Sequence, residues 1–177
     1  MAEGEDSMRR RSASALTRAV ALLARREHSA HELKRKLLER GFAADEVEAA
    51  VARLAEQGLQ DDARFAEALV RARASGGRGP LRLKAELSQH RLPEGLAECA
   101  IEAARADQDW SARALGLAAR RLRGSDPADP QVRRRLADFL LRRGFPQAVV
   151  WEVLARLSEG PLEGDDLEGS DSVGDDV

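Results

Sequence analysis

Aromatic residues are nearly absent from this sequence: they make up 3% of it, with four Phe, two Trp and no Tyr. A core must therefore be built from Leu, Ala and Val. β-Branched residues are also few, while Ala, Leu, Arg and Glu, all strong helix formers, are abundant, so composition favours helix over strand. The single cysteine, Cys99, excludes a disulfide framework and any multi-cysteine metal site, and it fits a reducing, cytoplasmic setting. No run approaches the roughly 18 apolar residues that a membrane helix needs, so no membrane partner is expected. The opening Met1-Ala2-Glu3-Gly4-Glu5-Asp6 is acidic and does not read as a secretory signal. Lysine is scarce too: Lys34, Lys36 and Lys84 are the only ones among 29 basic side chains.

What is present is a chain of 177 residues, 43% hydrophobic and 34% charged. That is apolar enough to fold and charged enough to stay in solution. The net charge of -2 hides an asymmetry. Eight of the 31 acids follow Ser158 and all 29 basic residues precede it, so residues 1–157 carry a net charge of about +6. A basic body with an acidic tail points toward an anionic partner. The tail can act as a plain solubilising segment, or it can fold back on the body and weaken binding.

The chain repeats itself. Displaced by 103 residues, Leu33, Leu37 and Leu38 fall on Leu136, Leu140 and Leu141, and Arg40-Gly41-Phe42 falls on Arg143-Gly144-Phe145. Val47, Val51, Arg53 and Leu54 fall on Val150, Leu154, Arg156 and Leu157. A weaker copy lies at a displacement of 50: Leu33, Leu37 and Val51 fall on Leu83, Leu87 and Ile101, Phe42 on Leu92, and Gly41 on Arg91. One supersecondary unit is thus used three times.

Helix signals repeat within each unit. Leu16, Val20 and Leu23 recur at helical spacing, as do Leu33 and Leu37, then Val47, Val51 and Leu54. Ser29-Ala30-His31-Glu32 reads as a capping box, Gly41 as the left-handed stop of the second helix, and Asp61 or Asp62 as the cap of the fourth. Pro80, Pro93, Pro130 and Pro146 are expected in first helical turns. Nine helices are predicted over 13–26, 29–40, 44–57, 61–74, 80–90, 93–106, 109–123, 130–143 and 146–158. The expected fold is all-α, an elongated array of three tandem three-helix repeats at 13–58, 59–107 and 108–158, stacked so that each covers its neighbour's open face. Residues 1–12 and the acidic 159–177 are expected to be disordered, because they have little to bury.

No convergent catalytic constellation is evident, and neither a cofactor nor an enzymatic activity is expected. His28 and His31 could face one metal ion, but no further ligand spacing follows, so solvated or cap-region histidines are the plainer reading. Cys99, among Ala97, Ala100 and Ile101, reads as a small buried hydrophobe. Gly76-Gly77-Arg78-Gly79-Pro80 lacks the Lys-Ser/Thr of a phosphate loop; it reads as a flexible connector, or as a basic loop that touches a partner through Arg78.

The positive signal is arginine, whose planar fork suits phosphates and carboxylates. Basic residues cluster at recurring repeat positions. The candidate contacts are Arg25, Arg26, Lys34, Arg35, Lys36, Arg64, Arg71, Arg73, Arg78, Arg82, Lys84, Arg120, Arg121, Arg133 and Arg134. Ordinary solvated helix faces are the competing reading. Base-stacking recognition is not supported, because the few aromatics mostly fall on apolar stripes; phosphate contact without sequence readout remains open.

These motifs, taken in order, resemble the RecX family of recombination regulators. They are Leu22-Leu23-Ala24-Arg25-Arg26-Glu27-His28-Ser29, Glu32-Leu33, Lys36-Leu37 and Arg40-Gly41-Phe42, then Gly58-Leu59-Gln60-Asp61-Asp62-Ala63-Arg64-Phe65-Ala66, Gly79-Pro80 and Phe139-Leu140-Leu141-Arg142-Arg143-Gly144-Phe145. The resemblance covers about residues 14–158. It departs at Arg78, where the family often has an aromatic, and at Arg91, where it usually has glycine. The resemblance implies a monomeric, non-enzymatic protein that binds the RecA recombinase filament, and through phosphates its single- or double-stranded DNA. Such a protein inhibits ATP hydrolysis and strand exchange and limits filament growth. Charge reversal at Arg64, Arg71 or Lys84 is then expected to weaken inhibition. The alternatives are a stand-alone DNA-binding helical module and a helical scaffold for another protein.

Overall fold

The computed structural model describes residues 14–107 and 109–158, which form nine α-helices, one short 3-10 helix and no strand. The helices come in threes. The first repeat holds α1 (Ala15–Leu23), α2 (Ala30–Leu38) and α3 (Ala44–Glu56); the second holds α4 (Asp62–Ser75), α5 (Pro80–Leu87, extended by the 3-10 turn Ser88–His90) and α6 (Leu96–Asp107). The third holds α7 (Trp110–Leu122), α8 (Pro130–Arg142) and α9 (Gln147–Ser158). The all-α array of three tandem three-helix units is therefore what forms. The segments expected to be disordered, 1–12 and 159–177, lie outside the described residues.

In every repeat the first helix packs on the third, and the second closes the triangle. The buried positions of the third helix keep the repeat register: Val47, Ala50, Val51 and Leu54 in α3, and Val150, Val153 and Leu154 in α9. One position in α1 departs from the expected stripe. Val20, expected on the apolar stripe, is 44% exposed, and Ala15 and Ala19 are buried in its place. Their small side chains let α1 approach α3 closely.

Turn chemistry explains where helices stop. Gly41 and Gly144, 103 residues apart, have φ of +85° and +87°. Each donates its N–H to the carbonyl three residues back, Leu38 or Leu141, at 2.9 Å. In the middle repeat Arg91 takes this left-handed position at φ +49°. An L side chain there costs roughly 1–2 kcal/mol that glycine avoids. Arg91→Gly is accordingly expected to stabilise the protein by about 1 kcal/mol, seen as a higher thermal midpoint. The same exit delays the next helix. Pro93, expected in its first turn, precedes α6 by three residues, with Gly95 at φ +82° between them.

The repeats do not stack equally. Repeats two and three share one apolar core that includes Val70, Leu83, Leu87, Leu136, Leu140, Phe145, Val150 and Leu154. Repeat one has its own core around Leu33, Leu37, Val51 and Leu54. The loop expected to be a flexible connector forms the joint between repeats two and three. Gly79 N–H donates to the Arg143 carbonyl at 2.8 Å, Leu81 N–H to the Gly144 carbonyl at 3.0 Å, and Arg143 Nη1 to the Gly76 carbonyl at 2.9 Å. Gly77 and Gly79 are buried there.

Candidate anion-binding surface

The seam between repeats one and two is polar, and it uses many of the basic residues singled out in the sequence. Asp61 and Asp62 divide two tasks. Asp61 caps α4 by accepting from the backbone N–H of Ala63 (2.7 Å) and of Arg64 (3.1 Å). Asp62 reaches back to the first repeat, where its Oδ1 accepts from Ala30 N–H and from Gln60 Nε2, both at 2.9 Å. Arg64 donates to Glu27 at 2.7 Å and to the carbonyls of Gly58 and Leu59. The guanidinium thus ties α4 to the loop between α1 and α2 and to the preceding turn.

Behind this seam lies a charge cluster around the buried Glu32 carboxylate. Ser29 caps α2 by accepting from Glu32 N–H at 3.1 Å. The reciprocal half of the expected capping box does not form, because the Glu32 carboxylate turns to Arg26 (2.5 Å) and Lys36 (3.0 Å). Burial would raise the Glu32 pKa, but the hydrogen bonds from Arg26 and Lys36 outweigh it and hold the group at about 2. His28, expected to be a solvated or cap-region histidine, directly precedes the Ser29 cap and is only 2% exposed. Its Nδ1 lies 2.9 Å from the Arg26 carbonyl, which can only accept, so Nδ1 carries the hydrogen. Nε2 is then free to accept from Lys36 Nζ at 3.1 Å. Burial lowers the His28 pKa, and that of His90, whose Nδ1 meets Ser29 Oγ at 3.1 Å. Cys99 also corrects the sequence reading: it is exposed on α6 rather than buried.

Most of the other candidates in the first two repeats are likewise neutralised. Lys34 pairs with Glu48, Arg35 with Glu39, and Lys84 with Glu98, at 2.5, 2.7 and 2.8 Å. Arg73 and Arg78 converge on the one carboxylate of Glu86. Arg71 borders a hollow that also holds Glu67 and Asp107. Arg25 is exposed.

The third repeat is different. A cleft of roughly 580 Å³ runs between the C-terminal end of α7 and the exposed face of α8. Arg120, Arg121, Arg123, Arg135 and Arg143 line it, and no acidic residue does. Its floor is apolar, with Leu117, Val132, Leu136 and Phe139. The Arg121 and Arg143 guanidinium carbons stand 5.3 and 5.1 Å from the centre of the Phe139 ring. Cation–π contact of this kind holds a guanidinium plane without neutralising its charge. An adjoining hollow continues the positive surface through Arg82 and Arg142, with Arg78, paired to Glu86, at its edge. Arg82 donates weakly to the Arg142 carbonyl at 3.5 Å. Like charges gathered over a low-dielectric floor focus the field and attract an anion.

Of the sequence candidates, then, the cleft collects Arg120 and Arg121, while Arg78 and Arg82 border its extension. Arg133 points elsewhere, donating to the Leu154 carbonyl at 3.0 Å and to Ser158 Oγ, and Arg134 is exposed beside it. Arg123, Arg135, Arg142 and Arg143 stand in the recurring basic clusters of the sequence but not among its candidate contacts, and Phe139 is not among them either. A signal was present: Arg135, Phe139 and Arg142 follow the i, i+4, i+7 spacing of one helix face. Phe139, expected on an apolar stripe, is only half-buried.

Among the described residues, no group of three or more His, Cys, Asp or Glu side chains could hold a metal ion. None of their helices is long and apolar enough to cross a membrane.

Comparison with known proteins accounts for the architecture. Residues 15–54, 61–101 and 107–154 match the first, second and third three-helix domains of RecX. The chain is 52% identical over 130 residues to the Regulatory protein RecX of Xanthomonas axonopodis pv. citri, covering 72% of this chain and 78% of that one. It is 45% identical over 150 residues to the Regulatory protein RecX of Stenotrophomonas maltophilia, covering 82% and 91%. The fold is also that of the crystal structure of RecX from Lactobacillus salivarius, with a TM-score of 0.71 at 20% identity over 82% of this chain and 95% of that chain. Three tandem matches in order, on three observed helical triplets, make this chain a member of the RecX family of regulatory proteins.

Proposed function

We propose that this protein is a monomeric regulator that binds the filament of a RecA-type recombinase on DNA, represses its ATP hydrolysis and strand exchange, and limits filament growth. Membership of a regulatory family supports the partner. The observation that carries the contact is the arginine cleft of the third repeat. Elsewhere the basic side chains are largely spent on internal carboxylates, so this is where an anionic surface gains most, whether DNA phosphate or an acidic patch of recombinase. Three successive three-helix units also make a body long enough to touch neighbouring subunits of a helical filament. The protein then acts in the cytoplasm, beside chromosomal DNA.

The test is recombinase ATP hydrolysis on single-stranded DNA. Wild-type protein is expected to inhibit below one copy per recombinase subunit. Arg120→Glu, Arg121→Glu and Arg135→Glu together should weaken inhibition by at least about tenfold, since a hydrogen bond to a charged group contributes ~1.5–3 kcal/mol. These positions are better probes than Arg64 or Lys84, whose partners Glu27 and Glu98 belong to the fold. Unchanged ATP hydrolysis and filament length with wild-type protein would end this reading. An inhibitory triple variant would move the contact away from the cleft. Tight, sequence-dependent binding to duplex DNA without recombinase would favour a stand-alone DNA-binding module.

A further inference from the structure

We infer that the acidic segment 159–177 of this same chain docks in the arginine cleft and shields it from external polyanions. The inference rests on the cleft being an anion site. Within residues 159–177 stand Glu159, Glu163, Asp165, Asp166, Glu168, Asp171, Asp175 and Asp176, with no basic residue. The cleft has the complementary composition, five arginines and no acid.

Position makes the match effective. Arg133, in the first turn of α8, donates to the Leu154 carbonyl and to Ser158 Oγ. The last turn of α9 is therefore held against the first turn of α8. Val132 and Arg135, on either side of Arg133 in the same turn, line the cleft. The segment thus leaves the fold within a helix diameter, about 10–12 Å, of the cleft's near edge. From Arg133 to Arg143 the helix rises only ~15 Å. An extended chain covers up to ~3.5 Å per residue, so Asp165 and Asp166 can reach ~25 Å from Ser158, enough to span the cleft. A short covalent tether supplies an effective concentration of about 1 mM, so even weak pairing fills the site. Leu162 and Leu167, set among the acids, match an apolar floor that includes Val132 and Phe139.

The measurement places a spin label at residue 177 of the full chain (Cys99→Ser, Val177→Cys) and follows the backbone amides by NMR. At about 50 mM salt, signals from residues 117–123 and 132–139 should be broadened more than those of repeat one. Broadening should vanish at about 0.5 M salt, and in a chain with Asp165→Asn, Asp166→Asn, Glu168→Gln and Asp171→Asn, changes that leave the described fold untouched. No selective broadening, or broadening that survives tail neutralisation, overturns the docking. In a second arm, truncation after Ser158 should tighten binding of fluorescent oligothymidylate about fivefold at low salt and leave it unchanged at high salt. A tail that docks while truncation leaves that affinity unchanged overturns the shielding and, with it, the cleft as the nucleic-acid contact. Absent docking with intact cleft-dependent DNA binding refutes only the tail.

Discussion

Gly144→Ala is expected to cost about 2–5 kcal/mol, whereas Gly41→Ala, at the same turn one hundred and three residues earlier, should cost only about 1–2 kcal/mol. Both glycines sit at φ near +86° and stop the second helix of their repeats. The backbone strain from a Cβ is therefore the same in each. A Cβ on Gly41 would meet nothing within 4 Å. On Gly144 it would fall 2.5 Å from the backbone nitrogen and Cβ of Arg82. Backbone cannot swing aside as the end of a flexible side chain can, so repeat three must shift off repeat two. Facing it, a Cβ on Gly79 would fall 2.4 Å from the carbonyl carbon and oxygen of Gly144. Urea unfolding of the two variants checks the difference. Equal losses would mean that the close approach contributes nothing. Because Arg82 and Arg143 border the basic cleft and its extension, Gly144→Ala should also weaken binding of an anionic partner, and Gly41→Ala should not.

Glu32→Gln should destabilise the protein by about 3 kcal/mol at neutral pH, and the difference from wild type should fade in acid. The carboxylate is held at about 2 from an ordinary value of 4.5, and each unit of such a shift corresponds to ~1.4 kcal/mol. A lowered folded pKa means that the stabilisation is fully present above the unfolded value and is lost as pH falls through the folded one. The advantage of wild type should thus hold above pH 4.5 and disappear progressively toward pH 2. Glutamine cannot neutralise Arg26 and Lys36, which would face each other around His28 with no counter-charge. Removing the buried carboxylate from between these partly exposed cations is costly for that reason. Urea midpoints of wild type and variant across pH measure it. A difference that stays constant down to pH 2 would rule out this charge as its source.

The repeat architecture was legible because it is written in local signals. Leucine spacing, the Ser29 and Asp61 caps and the glycine stops depend only on residues a turn or two away. They survived translation into structure, apart from Val20 in α1, the Glu32 half of the capping box and the late start of α6. The candidate surface was much less legible. A list of basic residues does not show which carboxylates fold against them. Lys34 and Glu48 are fourteen residues apart, and Arg64 and Glu27 thirty-seven. Both pairs remove charge from a face that the sequence left open. Arg143 and Phe139, by contrast, belong to the cleft because α7 ends beside them, which is a matter of packing.

The sequence by itself determined an all-α chain of three repeats, because helix propensity, capping and apolar period are short-range effects. Tertiary structure decided how the repeats differ. Arg40-Gly41-Phe42 and Arg143-Gly144-Phe145 are identical triplets with the same backbone turn, yet Phe145 is buried at 1% exposure and Phe42 is not. Only the second copy has a neighbouring repeat seated on it, with Gly79 in backbone contact. Burial and charge balance are properties of what arrives from elsewhere in the chain. For that reason a motif repeated in sequence became a free turn in one place, and in the other a joint beside the arginine cleft and its basic extension.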